Sequence, residues 1–111
     1  MRRRARDADR LEDTALHAVR KRAKRLRYGV EAAASLFGRR KVKHFLRELA
    51  ALQDVLGRFN DLHSARTLFT DLAQTEPRAW FAVGWFTARQ DAARRDSRRA
   101  LARFRRVRRC W

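Results

Sequence analysis

Apolar residues recur along this chain at alternating intervals of three and four positions, the spacing of one buried face of an α-helix. Four such segments predict four helices, over about residues 9–37, 40–56, 60–74 and 75–106. Gly38 and Gly57 are interpreted as the ends of the first two helices. Asn60 or Asp61 is expected to cap the first turn of the third helix.

The connections between the four segments are short, so consecutive helices should run antiparallel. Thr75 is expected to cap the fourth helix, and Pro77 to lie in its first turn. The 111 residues include one Pro and four Gly, and they contain no internal repeat and no linker. We therefore predict one all-α domain over residues 1–111, an up-and-down antiparallel four-helix bundle with long first and fourth helices.

Positive charge is the strongest feature of the composition. Lys and Arg number 29 against 12 Asp and Glu, which gives a formal net charge of +17. Residues 1–58 hold 17 basic and 7 acidic side chains (+10), residues 59–88 hold 2 and 3 (−1), and residues 89–111 hold 10 and 2 (+8). Because like charges at this density repel one another, the surplus implies an anionic partner.

Cysteine usage and hydropathy bear on location. Cys110 is the single cysteine of the sequence, so an intrachain disulfide is excluded. No apolar run approaches the ~20 residues that span a bilayer. The N-terminal segment MRRRARDADR has no apolar stretch of the kind found in secretory signals. These features predict a soluble cytoplasmic protein.

The segment HAVRKRAKRLRYGVE, residues 17–31, concentrates seven basic side chains on the first predicted helix. At about 100° per residue, a stripe forms beside the apolar face. Its members are His17, Arg20, Lys24, Arg27 and Glu31, with Lys21 and Tyr28 just beyond and Arg22 and Arg25 on the opposite flank.

Two interpretations of this stripe stay open. It can be an ordinary solvated helix face, or it can be a binding surface. The sequence has no acidic residue between Asp13 and Glu31, so the i,i+4 acid–base pairs that usually relieve repulsion are missing. One cation per helical turn suits an extended anion with many phosphate groups, because Arg contacts phosphate with two donors and Lys supplies a compact charge.

Other basic residues extend this picture. On the second predicted helix, Lys43 and Arg47 lie near the N-terminus, where the helix dipole also favours anions, and they are added to the candidate binding set. The arginines of the fourth helix are left without an assigned role.

The sequence offers little for catalysis. Its three histidines form no metal-binding pattern, its acids are scattered, and it has no Gly-rich phosphate loop. We therefore expect a protein that is not an enzyme, with no metal and no cofactor. The aromatic residues Trp80, Phe81, Trp85 and Phe86 are expected to lie in the bundle core or at a contact between subunits.

Two stretches resemble one known family. LHAVRKRAKRLRYGVE (residues 16–31) is similar to the H-x-x-R-x-x-x-K-R-L-R-Y-x-x-E signature of the CHAD family, the conserved histidine α-helical domain. LQDVLGRFNDLHSAR (residues 52–66) is similar to the L-Q-D-x-L-G-x-x-N-D-x-x-x-A segment that follows it. The resemblance implies an all-helical domain that binds inorganic polyphosphate in a basic groove or pore, and by extension an association with polyphosphate granules.

Carried over by motif, the resemblance assigns roles to individual residues. The implied polyphosphate-binding residues are His17, Arg20, Lys24, Arg25 and Arg27. The helix pattern adds Lys21, Lys43 and Arg47. Supporting roles in orientation, capping or hydrogen bonding fall to Tyr28, Glu31, Gln53, Asp54, Asn60 and Asp61.

The chain departs from the family in length, since family domains are usually about twice as long and contain two related halves. It resembles the C-terminal half, so it is either a fragment or short relative, or two copies pair as a symmetric homodimer that rebuilds the channel. Two alternative functions stay open. One is nucleic-acid binding directed at the phosphate backbone. The other is an accessory module of a polyphosphate or triphosphate enzyme.

Overall fold

Three α-helices and one short 3₁₀ turn make up the computed structural model, which describes residues 2–111 and, from residue 7 onward, their side chains. The helices are α1 (Arg2–Ala32), α2 (Arg39–Ala73) and α3 (Ala79–Phe104), and the 3₁₀ turn is Ala34–Leu36. No strand occurs within residues 2–111. The all-helical prediction is confirmed, whereas the four-helix bundle is wrong.

The difference lies in α2, which joins the predicted second and third helices into one helix of 35 residues. Gly57 lies inside α2 and does not end a helix, and within residues 2–111 no glycine has the left-handed backbone of a helix stop. A glycine inside a helix costs only about 1 kcal/mol relative to alanine. Burial of Leu56 and Phe59, each 1% exposed, outweighs that cost. Asn60 and Asp61 therefore lie inside α2 and cap nothing.

The connections also differ from the predicted ones. The first helix ends at Ala32 rather than near residue 37, and Gly38 precedes α2 in an extended conformation (φ −60°, ψ 129°). At the other turn, the Thr75 hydroxyl donates to the Leu72 carbonyl (3.3 Å) at the end of α2, and so does not cap α3. Pro77 lies in the turn that leads into α3.

Helix α2 is the central element, since it packs against α3 along most of its length and against α1 on another side. The core consists of the buried apolar residues Leu16, Ala23, Val30, Val42, Phe45, Leu49, Leu52, Leu56, Phe59 and Ala93. The C-terminal tail folds back onto α2, where the Trp111 ring lies 5.4 Å from that of Phe45 and Cys110 is buried. None of the helices within residues 2–111 is long and apolar enough to cross a bilayer.

The aromatic residues at the start of α3 contribute less to the core than predicted. Only Phe86 is partly buried, and its ring stacks on that of Phe69 at 5.3 Å. Trp80, Phe81 and Trp85 are exposed. They lie near the end of the α2–α3 hairpin, on the first turns of α3.

A buried ion pair joins α1 to α3. The Arg94 guanidinium donates from Nε to Asp13 Oδ1 (2.6 Å) and from Nη2 to Asp13 Oδ2 (3.0 Å). The Arg94 side chain is 6% exposed. Its bonds to Asp13 raise the pKa of Arg94 above the usual value, although burial acts in the opposite direction. One turn away, Arg98 makes a second two-point contact with Glu12, at 2.6 and 3.2 Å.

Replacing Gly57 with alanine tests whether α2 is continuous. A Cβ built on Gly57 would meet no atom within 4 Å, so the G57A variant should gain about 0.5–1 kcal/mol in free energy of unfolding. Urea denaturation measures this gain. The matched control is G84A, at an equally open position inside α3. If G84A stabilises the protein while G57A destabilises it, the chain breaks at Gly57 and the continuous helix is wrong.

Candidate anion-binding cleft

A cleft of about 660 Å³ runs between α1 and α2. From α1 it is lined by Arg20, Lys21, Lys24, Arg27, Tyr28 and Glu31. From α2 it is lined by Gln53 and Gly57. The lining side chains are basic, polar or aromatic, and none of them is aliphatic.

Helix geometry explains why these residues meet. On α1 the basic side chains lie along one flank of the buried residues Ala23 and Val30. They therefore reach the surface at the edge of the contact between α1 and α2. On α2, Gly57 contributes no side chain, and the space around its Cα is open. The missing side chain leaves the cleft wide at this level.

Arg27 is held in place by two contacts. Its Nε donates to Glu31 Oε1 at 2.8 Å, one helical turn away, and its Nη1 donates to Gln53 Oε1 on α2 at 3.3 Å. Among the lining residues, Glu31 is the one acid, and it faces four cations. The cleft therefore keeps a local charge of about +3, and the guanidinium of Arg27 is already oriented.

His17, a predicted binding residue, lies outside this cleft. Its ring is partly buried between helices, 4.9 Å from that of His63 and 5.9 Å from that of Phe59. Burial is the main cause that lowers the pKa of His17, and the neighbouring His63 lowers it further, while Asp13 acts in the opposite direction. The structure thus places His17 in a packing position beside the cleft lining.

Five other predicted residues do not line this cleft either. Arg25 and Lys43 are exposed, and they line neither the α1–α2 cleft nor the depressions between α2 and α3. Arg47 lines a different groove, between α2 and α3. Asp61 is exposed on α2, and Asn60, one turn beyond Gly57, is partly buried there.

A buried polar network was missed by sequence reasoning. Gln90 is fully buried; its Nε2 donates to Asp13 Oδ2 (3.3 Å) and to His63 Nδ1 (3.1 Å), and its Oε1 accepts from Arg66 (3.2 Å). The sequence did contain a sign of this network, because Gln90 and Arg94 lie on the same face of the helix as the buried Ala93 of α3. Among side chains from residue 7 onward, no three His, Cys, Asp or Glu residues gather into a metal site.

The fold and the cleft define an all-helical protein with cations concentrated between its first two helices. Comparison with protein-family models identifies a CHAD domain over residues 1–70. The chain belongs to the CHAD family. The matched region contains α1 and nearly all of α2, and α3 lies beyond it. Neither the curated proteins nor the solved structures contain a match to this chain.

The lowered pKa of His17 predicts a pH dependence of stability. Between the lowered value and the ordinary 6.5, the unfolded chain binds a proton at this site more readily than the folded chain does. The contribution of His17 to the free energy of unfolding is therefore constant above about pH 7 and falls as the pH drops through 6.5.

Urea denaturation at several pH values between about 7.5 and 5 measures this effect. The variant H17Q should lose less stability over that range than the wild type. H44Q, which removes an exposed histidine, is the matched control. An H17Q curve parallel to that of the wild type would contradict the assignment.

Proposed function

We propose that this protein binds inorganic polyphosphate through the cleft between α1 and α2, without catalysing a reaction on it. The observation that carries the proposal is the charge of the lining, where four cations face one acid that is already bonded to Arg27. Membership of the CHAD family supports it, because CHAD domains are associated with polyphosphate binding.

The mechanism is multidentate electrostatics along one helix flank. Arg20, Lys24 and Arg27 follow one another at about one helical turn, some 5 Å, so a linear polymer lying along α1 meets a new cation at each turn. Binding releases the counterions that surround the polymer, as it does for nucleic acids, and affinity should fall steeply with salt. The orientation of Arg27 by Glu31 and Gln53 lowers the entropic cost of its phosphate contact.

The lining favours polyphosphate over nucleic acid. Nucleic acids also present lines of phosphates, but their single strands are usually held in part by stacking of bases on aromatic side chains. Tyr28 is the one aromatic residue of the lining. Glu31 is its one carboxylate, so the lining also lacks the carboxylate pair that general acid–base or metal-assisted chemistry would need.

Dimerisation belongs to the same proposal. Two copies that face each other across the α1–α2 cleft would surround the polymer and restore the basic channel implied by the family's two related halves. Two such surfaces repel each other when no anion lies between them. We therefore propose that the homodimer forms around bound polyphosphate.

Two double variants with equal loss of charge test the site. R20Q/K24Q removes two cations from the cleft, whereas R22Q/R25Q removes two exposed cations from the opposite flank of the same helix. Binding of long-chain polyphosphate, measured by calorimetry, should weaken roughly tenfold or more in R20Q/K24Q. It should change less than about threefold in R22Q/R25Q.

Equal losses in the two variants would mean that polyphosphate senses overall charge, and the proposed site would be wrong. A larger loss in R22Q/R25Q would place the site on the Arg25 flank. Sedimentation of the same mixtures reads the mass of the complex. A complex that contains one protein molecule, at a subsaturating ratio of polymer, would contradict the dimer.

A further inference from the structure

A second groove lies between α2 and α3, away from the proposed polyphosphate cleft. It consists of two depressions of about 470 and 210 Å³, which adjoin at Val55. Its floor is apolar and includes Ala51, Leu52, Val55, Ala92, Ala100 and Phe104. Arginines stand along both sides, with Arg47 and Arg58 on α2 and Arg89, Arg99 and Arg103 on α3.

The chemistry of this groove differs from that of the α1–α2 cleft. Polyphosphate carries no apolar surface, so it gains nothing from a floor of alanine, valine and leucine. An apolar floor gains free energy only when an apolar partner covers it.

Exposed aromatic residues continue the groove toward the end of the hairpin. The Arg89 guanidinium, which lines the groove, lies 3.8 Å from the centre of the Trp85 ring. Trp85 is 47% exposed, and Phe81, one turn before it, is 83% exposed. Phe81, Trp85 and Ala92 follow at intervals of four and seven residues, so they share one face of α3. Together with Phe81 and Trp85, the groove forms a larger apolar surface than its floor does alone.

The charges at the rim of the groove indicate that its partner carries negative charge. Five arginines line the groove against two acids, Glu48 and Asp96, and Glu48 is already within 3.7 Å of Arg103. A cationic or neutral partner would leave these guanidinium groups close together and unneutralised. A partner with carboxylates on both sides of an apolar face would neutralise both rims.

The shape of the groove indicates that its partner is a helix. Ala51 and Ala92 are small and exposed, so a partner backbone can approach the floor closely. From Glu48 to Leu62 the groove follows about 21 Å of α2, which matches about four turns of a second helix. A groove between two packed helices is where a further helix lies in a bundle.

We infer that the α2–α3 groove, extended by Phe81 and Trp85, docks an acidic amphipathic helix of another protein. The apolar face of that helix covers Val55 and Ala92, and its flanking carboxylates meet the arginines of both rims. This docking surface is separate from the polyphosphate site and does not depend on it.

A synthetic peptide tests the inference. The probe is a helix of about 18 residues with leucines at a and d positions and glutamates on both flanks. The control peptide has the same composition in a scrambled order that abolishes the apolar face. Anisotropy at about 150 mM salt should show binding of the probe to the full chain at least roughly tenfold tighter than of the control peptide.

Double variants of the protein distinguish the contribution of the apolar floor to probe binding from that of the arginines at the rim. A51R/A92R fills the floor while it adds positive charge, so a loss of probe binding of roughly tenfold or more cannot come from weaker attraction. R99Q/R103Q should weaken binding of the probe peptide by a similar factor. R22Q/R25Q, which loses the same charge outside the groove, should change binding of the probe less than about threefold.

Equal binding of the two peptides, or unchanged probe binding in A51R/A92R, would overturn the inference, because attraction would then be electrostatic alone. Self-association of the free wild type that disappears in A51R/A92R would also overturn it, since the occupant would be a second copy of this chain. Circular dichroism and retained polyphosphate binding check that A51R/A92R is folded.

Discussion

The contact between Asp13 and Arg94 fixes where the first helix lies, and the candidate site depends on that position. Arg94 is a buried cation, and its two-point bond with Asp13 joins it to α1, while Asp91 on its own helix accepts a further bond at 2.7 Å. Gln90 satisfies the same carboxylate from a second direction. Because Asp13 lies two turns before Arg20 on a rigid helix, the ion pair sets the rotation at which the cationic stripe meets α2.

The shortage of acidic side chains explains where the few that are present lie. With 29 basic residues against 12 acidic ones, neutralising every cation is impossible. Glu12 and Asp13 join α1 to α3, and Glu31 orients Arg27. Basic side chains line two surfaces with different floors. One is polar, which suits a polyphosphate chain, and the other is apolar, which suits a helix with acidic flanks.

The sequence predicted those features that depend on local periodicity. The α-helical class and the grouping of Arg20, Lys24 and Arg27 follow from a repeat close to 3.6 residues, and the structure shows both. Gly57 misled the prediction, because a glycine stop and a glycine kept inside a helix by burial look alike in sequence. The pairing of Arg94 with Asp13, which lies 81 residues away, could not be predicted, since no local pattern reports which helices meet.

The decisive measurement for the α1–α2 cleft is a competition titration at two salt concentrations, with labelled duplex DNA or RNA on the protein and long-chain polyphosphate as competitor. Polyphosphate is expected to displace both nucleic acids at far lower phosphate concentration than the reverse exchange requires, and its affinity is expected to fall steeply with salt. If DNA or RNA displaces polyphosphate equally well, the α1–α2 cleft is a general anion surface and not a polyphosphate site.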